Sequence, residues 1–189
     1  IVVCPPTFGM YAVAAAIQGA RTVSIPLREN FRLDVSAILA ALQSANSNPP
    51  KLIWLCSPNN PTGNSLERSD IQRVIETARG RSVVIVDEAY AEFAKEPSWI
   101  TSLAQHPHLV VLRTLSKAHG LAGLRIGAVI AHRAVIQLLR KIIPPYALPY
   151  DSARLGTIAM QEPALAVTQE RINLLVRERE RVRAALSSS

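Results

Sequence analysis

Two continuous runs of apolar residues constrain the fold of this chain more than any other feature. Ser82–Asp87 contains Val-Val-Ile-Val, and Leu109–Thr114 contains Leu-Val-Val-Leu. Neither run alternates with polar residues, which is typical of strands covered on both faces and therefore of a mostly parallel sheet. Four further apolar runs predict strands of the same sheet: Ile1–Cys4, Arg21–Pro26, Lys51–Cys56 and Ile126–Ala131.

Helical patterns lie between these strands. Asp34 is placed to cap a helix over Val35–Ser44, and either Ser69 or Ser65 to cap a helix that ends near Gly80. The other predicted helices of this region are Met10–Gln18, Arg133–Ile142 and Ser152–Gln161. The alternation of strand and helix predicts an α/β fold, built as a three-layer α/β/α sandwich with right-handed crossovers.

A last, longer helix is predicted from Glu162-Pro163 to about Leu186. Its apolar residues predict one buried stripe, made of Leu165, Ile172, Leu175, Val176 and Val182. We interpret this helix as a bridge from the main domain to a part that the sequence lacks. Ile1 already opens a strand, with no signal peptide before it, and Ser187–Ser189 ends abruptly, so we expect an incomplete chain.

Composition and charge limit the classes of function. Apolar residues make up 49% of the chain, which favours a globular domain over a disordered one, and no apolar run reaches membrane-spanning length. The net charge is +7, but arginines alternate with glutamates on the last helix, which is typical of a solvated face. Without a known reader motif we expect no nucleic-acid partner. A basic surface also suits a small anionic substrate.

The two cysteines, Cys4 and Cys56, stand at the ends of apolar runs. We interpret them as small buried residues in the reducing environment of the cytosol. No spacing of Cys and His predicts a metal site. We therefore expect a cytoplasmic protein without a bound metal.

Three motifs follow three of the predicted strands. Ser57-Pro-Asn-Asn60-Pro-Thr-Gly63 follows Lys51–Cys56, Asp87-Glu-Ala-Tyr90 ends Ser82–Asp87, and Leu115-Ser-Lys117-Ala-His-Gly120 follows Leu109–Thr114. The carboxyl ends of parallel strands meet at one edge of a sheet, where ligands bind in folds of this kind. The three motifs are therefore expected to face one crevice.

The side chains of these motifs suit pyridoxal phosphate. The amine of Lys117 can form a Schiff base with an aldehyde when burial or positive charge lowers its pKa. Asp87 ends a wholly apolar strand, where a carboxylate is costly unless it meets a cation such as a protonated pyridine nitrogen. A helix cap or a structural salt bridge is the alternative role for Asp87. Glu88, its neighbour, is expected to point to the opposite face.

Other residues could complete such a site. Tyr90 and Asn60 can donate hydrogen bonds to a phenolic oxygen, or serve as a core residue and a turn former. Thr114, Ser116 and Arg125 offer two hydroxyls and a guanidinium to a phosphate, or are turn hydroxyls and a surface arginine. Phe8, in Cys4-Pro-Pro-Thr-Phe-Gly-Met-Tyr11, can stack on an aromatic ring or pack in the core.

With these motifs assembled, the chain resembles the fold-type I pyridoxal-phosphate-dependent aminotransferases, and most closely the histidinol-phosphate aminotransferases. Asn-Pro-Thr-Gly and Ser-Lys are features of the wider superfamily, whereas the Cys-Pro-Pro-Thr segment and Asp87-Glu-Ala-Tyr-Ala-Glu-Phe93 point to this member. The resemblance implies a mixed sheet in which Ile126–Ala131 runs antiparallel. It also implies a large domain over 1–162 and a connecting helix over 163–189 that leads to an absent small domain.

The resemblance also implies roles for these residues. Lys117, Asp87 and Tyr90 would be catalytic, with Lys117 as the Schiff-base lysine and Asp87 as the partner of the pyridine nitrogen. Cofactor-binding residues would be Phe8, Asn60, Asp87, Tyr90, Thr114, Ser116, Lys117 and Arg125. His119 stands where such proteins usually have phenylalanine, and no catalytic role is implied for it.

The implied reaction is amino transfer between histidinol phosphate and 2-oxoglutarate, giving imidazole-acetol phosphate and glutamate. In histidine biosynthesis it runs with glutamate as the donor. A homodimer is implied as well. Three alternatives stay open: an aromatic aminotransferase, a threonine-phosphate decarboxylase of the same fold, and a regulatory domain that binds pyridoxal phosphate without turnover.

Overall fold

The computed structural model describes residues 1–44 and 48–187, and a six-stranded mixed sheet forms its centre. The strands are β1 (Val2–Val3), β2 (Val23–Ser24), β3 (Leu52–Cys56), β4 (Val83–Asp87), β5 (Leu109–Thr114) and β6 (Gly127–Ala131). Their order across the sheet is β2-β1-β3-β4-β5-β6. The first five are parallel and β6 runs antiparallel to β5. All six predicted strands and the mixed sheet are therefore confirmed.

In the described part of the chain, six α-helices accompany the sheet. They are α1 (Met10–Ile17), α2 (Val35–Gln43), α3 (Arg68–Ala78), α4 (Arg133–Arg140), α5 (Tyr150–Ala159) and α6 (Glu162–Ser187). Short 3-10 turns lie at Glu29–Phe31, Ala91–Phe93, Trp99–Ser102 and Ala122–Leu124. The predicted alternation of helices and strands is confirmed. The last two residues of the predicted connecting segment, 188–189, lie outside the described residues.

The caps of α2 and α3 differ from each other. Asp34 caps α2 as predicted, because its Oδ1 accepts a hydrogen bond from the backbone N–H of Ala37 at 2.9 Å. The predicted serine caps of α3 are wrong. This helix begins at Arg68 after Glu67, which makes no side-chain cap bond, so Ser69 is already inside it. Ser65 instead donates its hydroxyl to Glu96 at 3.1 Å.

The main core lies on one face of the sheet. Alternate residues of β3, β4 and β5 point to this face and pack against α2, α3 and Trp99. Its fully buried side chains include Ile38, Leu42, Ile53, Leu55, Ile71, Ile75, Val84, Val86, Leu109 and Val111. Burial of this much apolar surface is the largest favourable contribution to the stability of such a domain.

The other face carries α1. Tyr11 of this helix packs with Val3 and Cys56, and its ring stacks on Trp54 with the centroids 4.7 Å apart. Cys4 and Cys56 are both buried and free, as predicted. Burial raises the pKa of the Cys4 thiol to about 12, so this thiol stays protonated at neutral pH.

The strand order creates a switch point between β1 and β3. From β1 the chain moves outward to β2, and from β2 it returns past β1 to β3, β4 and β5. The helix after β1 therefore lies on one face and the helix after β3 on the other. The loops that follow β1 and β3 separate at this point, and a crevice opens at the carboxyl ends of the strands.

The long helix α6 departs from its predicted packing. Ile172 is buried, but Leu175 and Val182 are 55% and 46% exposed, while Leu165 and Val176 are half-buried. The predicted continuous buried stripe is therefore wrong, because α6 contacts the rest of the chain mainly through α5 and the turn Ala91–Phe93. Within residues 1–44 and 48–187, no helix combines the length and apolarity needed to cross a membrane.

Candidate active site

A buried asparagine fixes the two loops at the switch point. Asn59 is 4% exposed. Its Oδ1 accepts a hydrogen bond from the hydroxyl of Thr7 at 2.8 Å, and its Nδ2 donates to the carbonyl of Pro6 at 2.8 Å and to Thr62 Oγ1 at 2.7 Å. This side chain thus joins the loop after β1 to the turn after β3. Of the two asparagines in this motif, only Asn60 was predicted as a site residue.

Asp87, the last residue of β4, is held on two sides. Its Oδ2 accepts a hydrogen bond from the hydroxyl of Tyr11 at 2.7 Å, and its Oδ1 accepts one from the backbone N–H of Ala89 at 3.0 Å. The ring of Phe8 contacts Tyr11 edge-on at 5.5 Å between centroids. Phe8 and Asp87 are therefore connected through Tyr11, which was not among the predicted site residues.

The hydroxyl of Tyr11 remains a donor over a wide pH range. Burial is the main reason that the pKa of Tyr11 lies well above its usual value, and the nearby Cys56 and Asp87 raise it further. A neutral phenol can donate to a carboxylate, and such charge-assisted hydrogen bonds are stronger than neutral ones. The bond orients the carboxylate at the end of β4.

Glu88 points away from Asp87, as predicted from the alternation of side chains in a strand. It is 2% exposed. Its Oε1 accepts a hydrogen bond from the backbone N–H of Trp99 at 2.7 Å, and its Oε2 accepts from Ser98 Oγ at 2.5 Å and from Arg113 at 3.2 Å. This carboxylate is therefore used to hold the structure together on the other face.

Lys117 lies in the turn between β5 and β6. The turn is closed by a hydrogen bond from the N–H of Leu121 to the carbonyl of Leu115 at 3.0 Å, and Gly120 supplies a left-handed conformation with φ of 67°. The Nζ atom of Lys117 lies 5.4 Å from the ring centroid of Tyr90, within the range of a cation–π contact. The structure therefore brings two of the predicted residues together from separate strand ends.

The predicted phosphate-binding residues lie on both sides of the same turn. The hydroxyl of Thr114 is 2.9 Å from Ser116 Oγ and accepts a hydrogen bond from the Ser116 N–H at 3.1 Å. The pairing of Thr114 with Gly127 continues as a bond from Leu115 N to Ile126 O, so the ladder ends just before Ser116 on one strand and Arg125 on the other. Arg125 itself has a left-handed backbone with φ of 57°.

The guanidinium of Arg125 is directed to its own turn. It is exposed, and its Nη1 donates to the carbonyl of Ala122 at 3.0 Å. Among the described residues, no hydrogen bond joins this side chain to the hydroxyls of Thr114 or Ser116.

Asn60 and Tyr90 line one open cleft. The opposite wall of the cleft is the charged end of α6, including Arg179, Glu180 and Arg183. Arg179 donates to the carbonyl of Phe93 at 3.2 Å, which fixes α6 against the segment that follows Tyr90. The structure therefore places Asn60 and Tyr90 on a common surface that a small molecule can reach.

The fold and these strand-end residues define a known class of protein. The chain belongs to the aminotransferase class I and II family, whose model matches residues 1–189. It is 46% identical to a histidinol-phosphate aminotransferase of Stenotrophomonas maltophilia, in an alignment that includes 98% of this chain and 51% of the relative. The chain thus spans about half the length of the curated relatives it matches.

Solved structures agree on the fold. The crystal structure of the histidinol-phosphate aminotransferase from Clostridium acetobutylicum matches with a TM-score of 0.88 and 21% identity, covering 99% of this chain and 55% of that one. The Sinorhizobium meliloti histidinol-phosphate aminotransferase, solved in complex with pyridoxal-5'-phosphate, matches with a TM-score of 0.85 and 26% identity, covering 96% and 48%. The predicted sandwich of this family is confirmed.

Proposed function

We propose that this chain is the cofactor-binding part of a pyridoxal-phosphate-dependent aminotransferase that transfers an amino group between histidinol phosphate and 2-oxoglutarate. The identity of 46% to a histidinol-phosphate aminotransferase supports the substrate assignment. One observation carries the site assignment: the amine of Lys117 lies 5.4 Å from the ring of Tyr90, at the edge of the sheet where Asp87 ends β4.

The side chains present fit pyridoxal phosphate chemically. Each oxygen of Asp87 accepts one described hydrogen bond, and a carboxylate oxygen has a second lone pair. Asp87 can therefore also accept the N–H of a protonated pyridine ring. Thr114 and Ser116 offer hydroxyls to a phosphate, and Asn60 lines the open cleft, where its side-chain amide can meet a ligand.

When bound, pyridoxal phosphate supplies an aldehyde that takes up the amino group and a ring that accepts the electron pair released at the α-carbon. Lys117 would hold the cofactor covalently, and its amine would act as a general base and acid toward the substrate. Asp87 would favour a protonated ring nitrogen by its negative charge. Tyr90 and Asn60 would donate hydrogen bonds to the phenolic oxygen.

The remaining assigned residues position the cofactor. Thr114, Ser116 and Arg125 would hold the phosphate; for this, the guanidinium of Arg125 would exchange its bond to the carbonyl of Ala122 for one to the phosphate. Phe8 packs against the face of the ring; its side chain is 42% exposed, so it presents a surface on which a ring can stack.

The division of the chain and the assembly are also part of the proposal. Residues 1–162 belong to the large domain, and residues 163–189 belong to the segment that connects it to a small domain. The whole protein works as a homodimer in the cytoplasm, where histidine is made.

The covalent role is tested in the full-length protein by Lys117→Ala, with Lys141→Ala as a matched control. We expect Lys117→Ala to lose the visible absorption of bound cofactor, to resist borohydride trapping at this position, and to lose about 100-fold or more of its turnover. Lys141 follows α4 and is exposed, so its variant should behave as wild type. Unchanged absorption in Lys117→Ala would disprove the assignment.

The electron-accepting role and the substrate have separate tests. Asp87→Ala should retain some cofactor and lose most turnover, and activity near the wild-type level would rule out the role of Asp87. Turnover of histidinol phosphate is then compared with that of phenylalanine and threonine phosphate. A preference for either of the latter would replace the proposed substrate with that of an aromatic aminotransferase or a threonine-phosphate decarboxylase, and no turnover at all would favour a regulatory domain.

A further inference from the structure

Four charged or titratable side chains form a cluster next to the proposed site, outside the residues assigned to it. This charged cluster consists of Glu88, Glu92, Arg113 and His119. Arg113 links the two carboxylates, with Nη1 donating to Glu88 Oε2 at 3.2 Å and Nη2 donating to Glu92 Oε1 at 2.6 Å. Glu88 is in turn fixed by Ser98 and Trp99, so Glu92 is held against the sheet by a rigid chain of contacts.

His119 completes the cluster from the lysine turn. Its Nε2 lies 3.9 Å from Glu92 Oε1, and the two side chains are only 11% and 15% exposed. Glu92 Oε2 and His119 Nδ1 are buried without a hydrogen-bond partner among the described residues. Apolar side chains, including Leu115 and Ile126, line the space beside them. Solvent therefore screens the His119–Glu92 interaction less than it screens a surface pair.

The His119–Glu92 contact runs beside the contact between Lys117 and Tyr90. Lys117 and His119 are two residues apart in one turn, and Tyr90 and Glu92 are two residues apart in the segment after β4. Both contacts therefore join the same two segments. The contact between Lys117 and Tyr90 involves the reacting amine itself. The contact between His119 and Glu92 does not, so it can persist while the amine reacts.

We propose that His119 is a positioning residue: through Glu92 and Arg113, it holds the lysine turn against the segment that carries Asp87 and Tyr90. This proposal deepens the proposed function and rests on it. A lysine side chain has several rotatable bonds, so the position of its amine depends on how firmly its backbone is held. Loss of this contact lowers the rate at which Lys117 meets an aldehyde in the crevice, because the productive orientation is populated less often.

The alternative is that the imidazole of His119 only fills space. A phenylalanine ring fills similar space but cannot pair with a carboxylate. His119→Phe therefore separates the two roles, and Glu92→Gln removes the charge from the other side of the contact. Glu178→Gln is the matched control, because it removes one carboxylate from an exposed pair with Arg181 on α6.

The experiment measures the reaction of Lys117 directly in the cofactor-free full-length protein. Pyridoxal phosphate is added with cyanoborohydride, and mass spectrometry follows the labelled fraction of the peptide that contains Lys117. The amine condenses with the aldehyde with loss of one water, after which the reductant adds hydride to the carbon of the C=N bond and solvent supplies a proton to the nitrogen. Thermal unfolding of every variant shows whether the fold is retained.

We expect His119→Phe to slow labelling of Lys117 by about fivefold, as for the loss of one polar contact of about 1 kcal/mol. Glu92→Gln should slow it at least as much, because this change also removes the ion pair with Arg113. The double variant should be no slower than Glu92→Gln alone, because the carboxylate that His119 contacts is then already neutral. Wild-type labelling in His119→Phe, or a double variant about fivefold slower than Glu92→Gln alone, would overturn the positioning role. If His119→Phe does not fold, His119→Leu is measured in its place, because Glu92→Gln also removes the ion pair with Arg113. If wild-type Lys117 is labelled no faster than Lys141, the proposed function itself fails, and the positioning role with it.

Discussion

Asn59 and Asn60 are adjacent in the sequence, but Asn59 bonds to other parts of the protein whereas Asn60 is proposed to bind the cofactor. Replacing each by alanine therefore distinguishes a role in stability from a role in cofactor binding. The Asn59 side chain makes three hydrogen bonds, to Thr7, Pro6 and Thr62, in a position that is 4% exposed. A buried hydrogen bond contributes about 0.5–1.5 kcal/mol net, so Asn59→Ala should lower the free energy of unfolding by about 2–4 kcal/mol. Asn60→Ala should lower it by less than about 1 kcal/mol.

The assay is urea unfolding of the cofactor-free full-length protein, followed by far-ultraviolet circular dichroism. With a typical slope of about 2 kcal/mol per molar urea, the midpoint of Asn59→Ala should fall by roughly 1–2 M, whereas that of Asn60→Ala should move little. Asn60→Ala should weaken cofactor binding, because the Asn60 amide is proposed to contact the cofactor directly. Asn59→Ala should leave the cofactor affinity of the folded protein unchanged.

Two results would refute this reasoning. The first is an equal loss of stability in both variants, which would mean that the three contacts of Asn59 contribute nothing beyond the turn itself. The second is unchanged cofactor affinity in Asn60→Ala, which would remove Asn60 from the proposed site. The backbone bonds of the turn, from Asn59 N to Asn64 O and from Gly63 N to Asn59 O, persist in either variant, so the comparison isolates the side chains.

Three further predictions concern stability. Tyr11→Phe removes the donor to the carboxylate at the end of β4 and should cost about 1–3 kcal/mol, whereas Tyr146→Phe, at a ring that is 97% exposed, should cost nothing measurable. Burial raises the pKa of Cys4 from 9.0 to about 12, so the folded state keeps a proton that the unfolded state loses; stability should fall as pH rises from about 9 to about 12, and Cys4→Ala should reduce this slope. A Cβ at Gly156 would lie 2.5 Å from the Ile126 side-chain tip, so Gly156→Ala should stabilise by about 1 kcal/mol in an Ile126→Val background and by less, or not at all, without it. Chemical denaturation checks all three predictions, at neutral pH for the Tyr11 and Gly156 variants and at several pH values between about 9 and about 12 for Cys4→Ala.

The strands were predictable because their signal is local. Val83–Asp87 and Leu109–Thr114 are continuous apolar runs, and only a strand covered on both faces makes such a run favourable. The buried stripe of α6 was not predictable from its own residues. Leu175 and Val182 have the helical spacing of a packed face, but packing needs a partner surface, and within residues 1–44 and 48–187 only a short stretch of α6 has one.

The site was predictable only in part. Lys117, Asp87 and Tyr90 could be selected because each follows or ends a strand in a recognisable motif. Their neighbours could not, since the bond from Tyr11 to Asp87 joins residues that are 76 apart in the chain, and it depends on how α1 packs on the sheet. Likewise, nothing in the sequence of Asn59 and Asn60 shows which of the two side chains is buried. Asn59 is the buried one because Pro6 and Thr7, in the loop after β1, form hydrogen bonds with it.

The antiparallel pairing of β6 has a consequence for how this chain folds. The parallel strands can meet only after a long crossover has been closed, whereas β5 and β6 are joined by one turn, so their pairing involves the smallest loss of loop entropy in the sheet. Hairpins of this type form on the microsecond timescale. The backbone around Lys117 can therefore be ordered before the slower pairings that bring the ends of β3 and β4 alongside it.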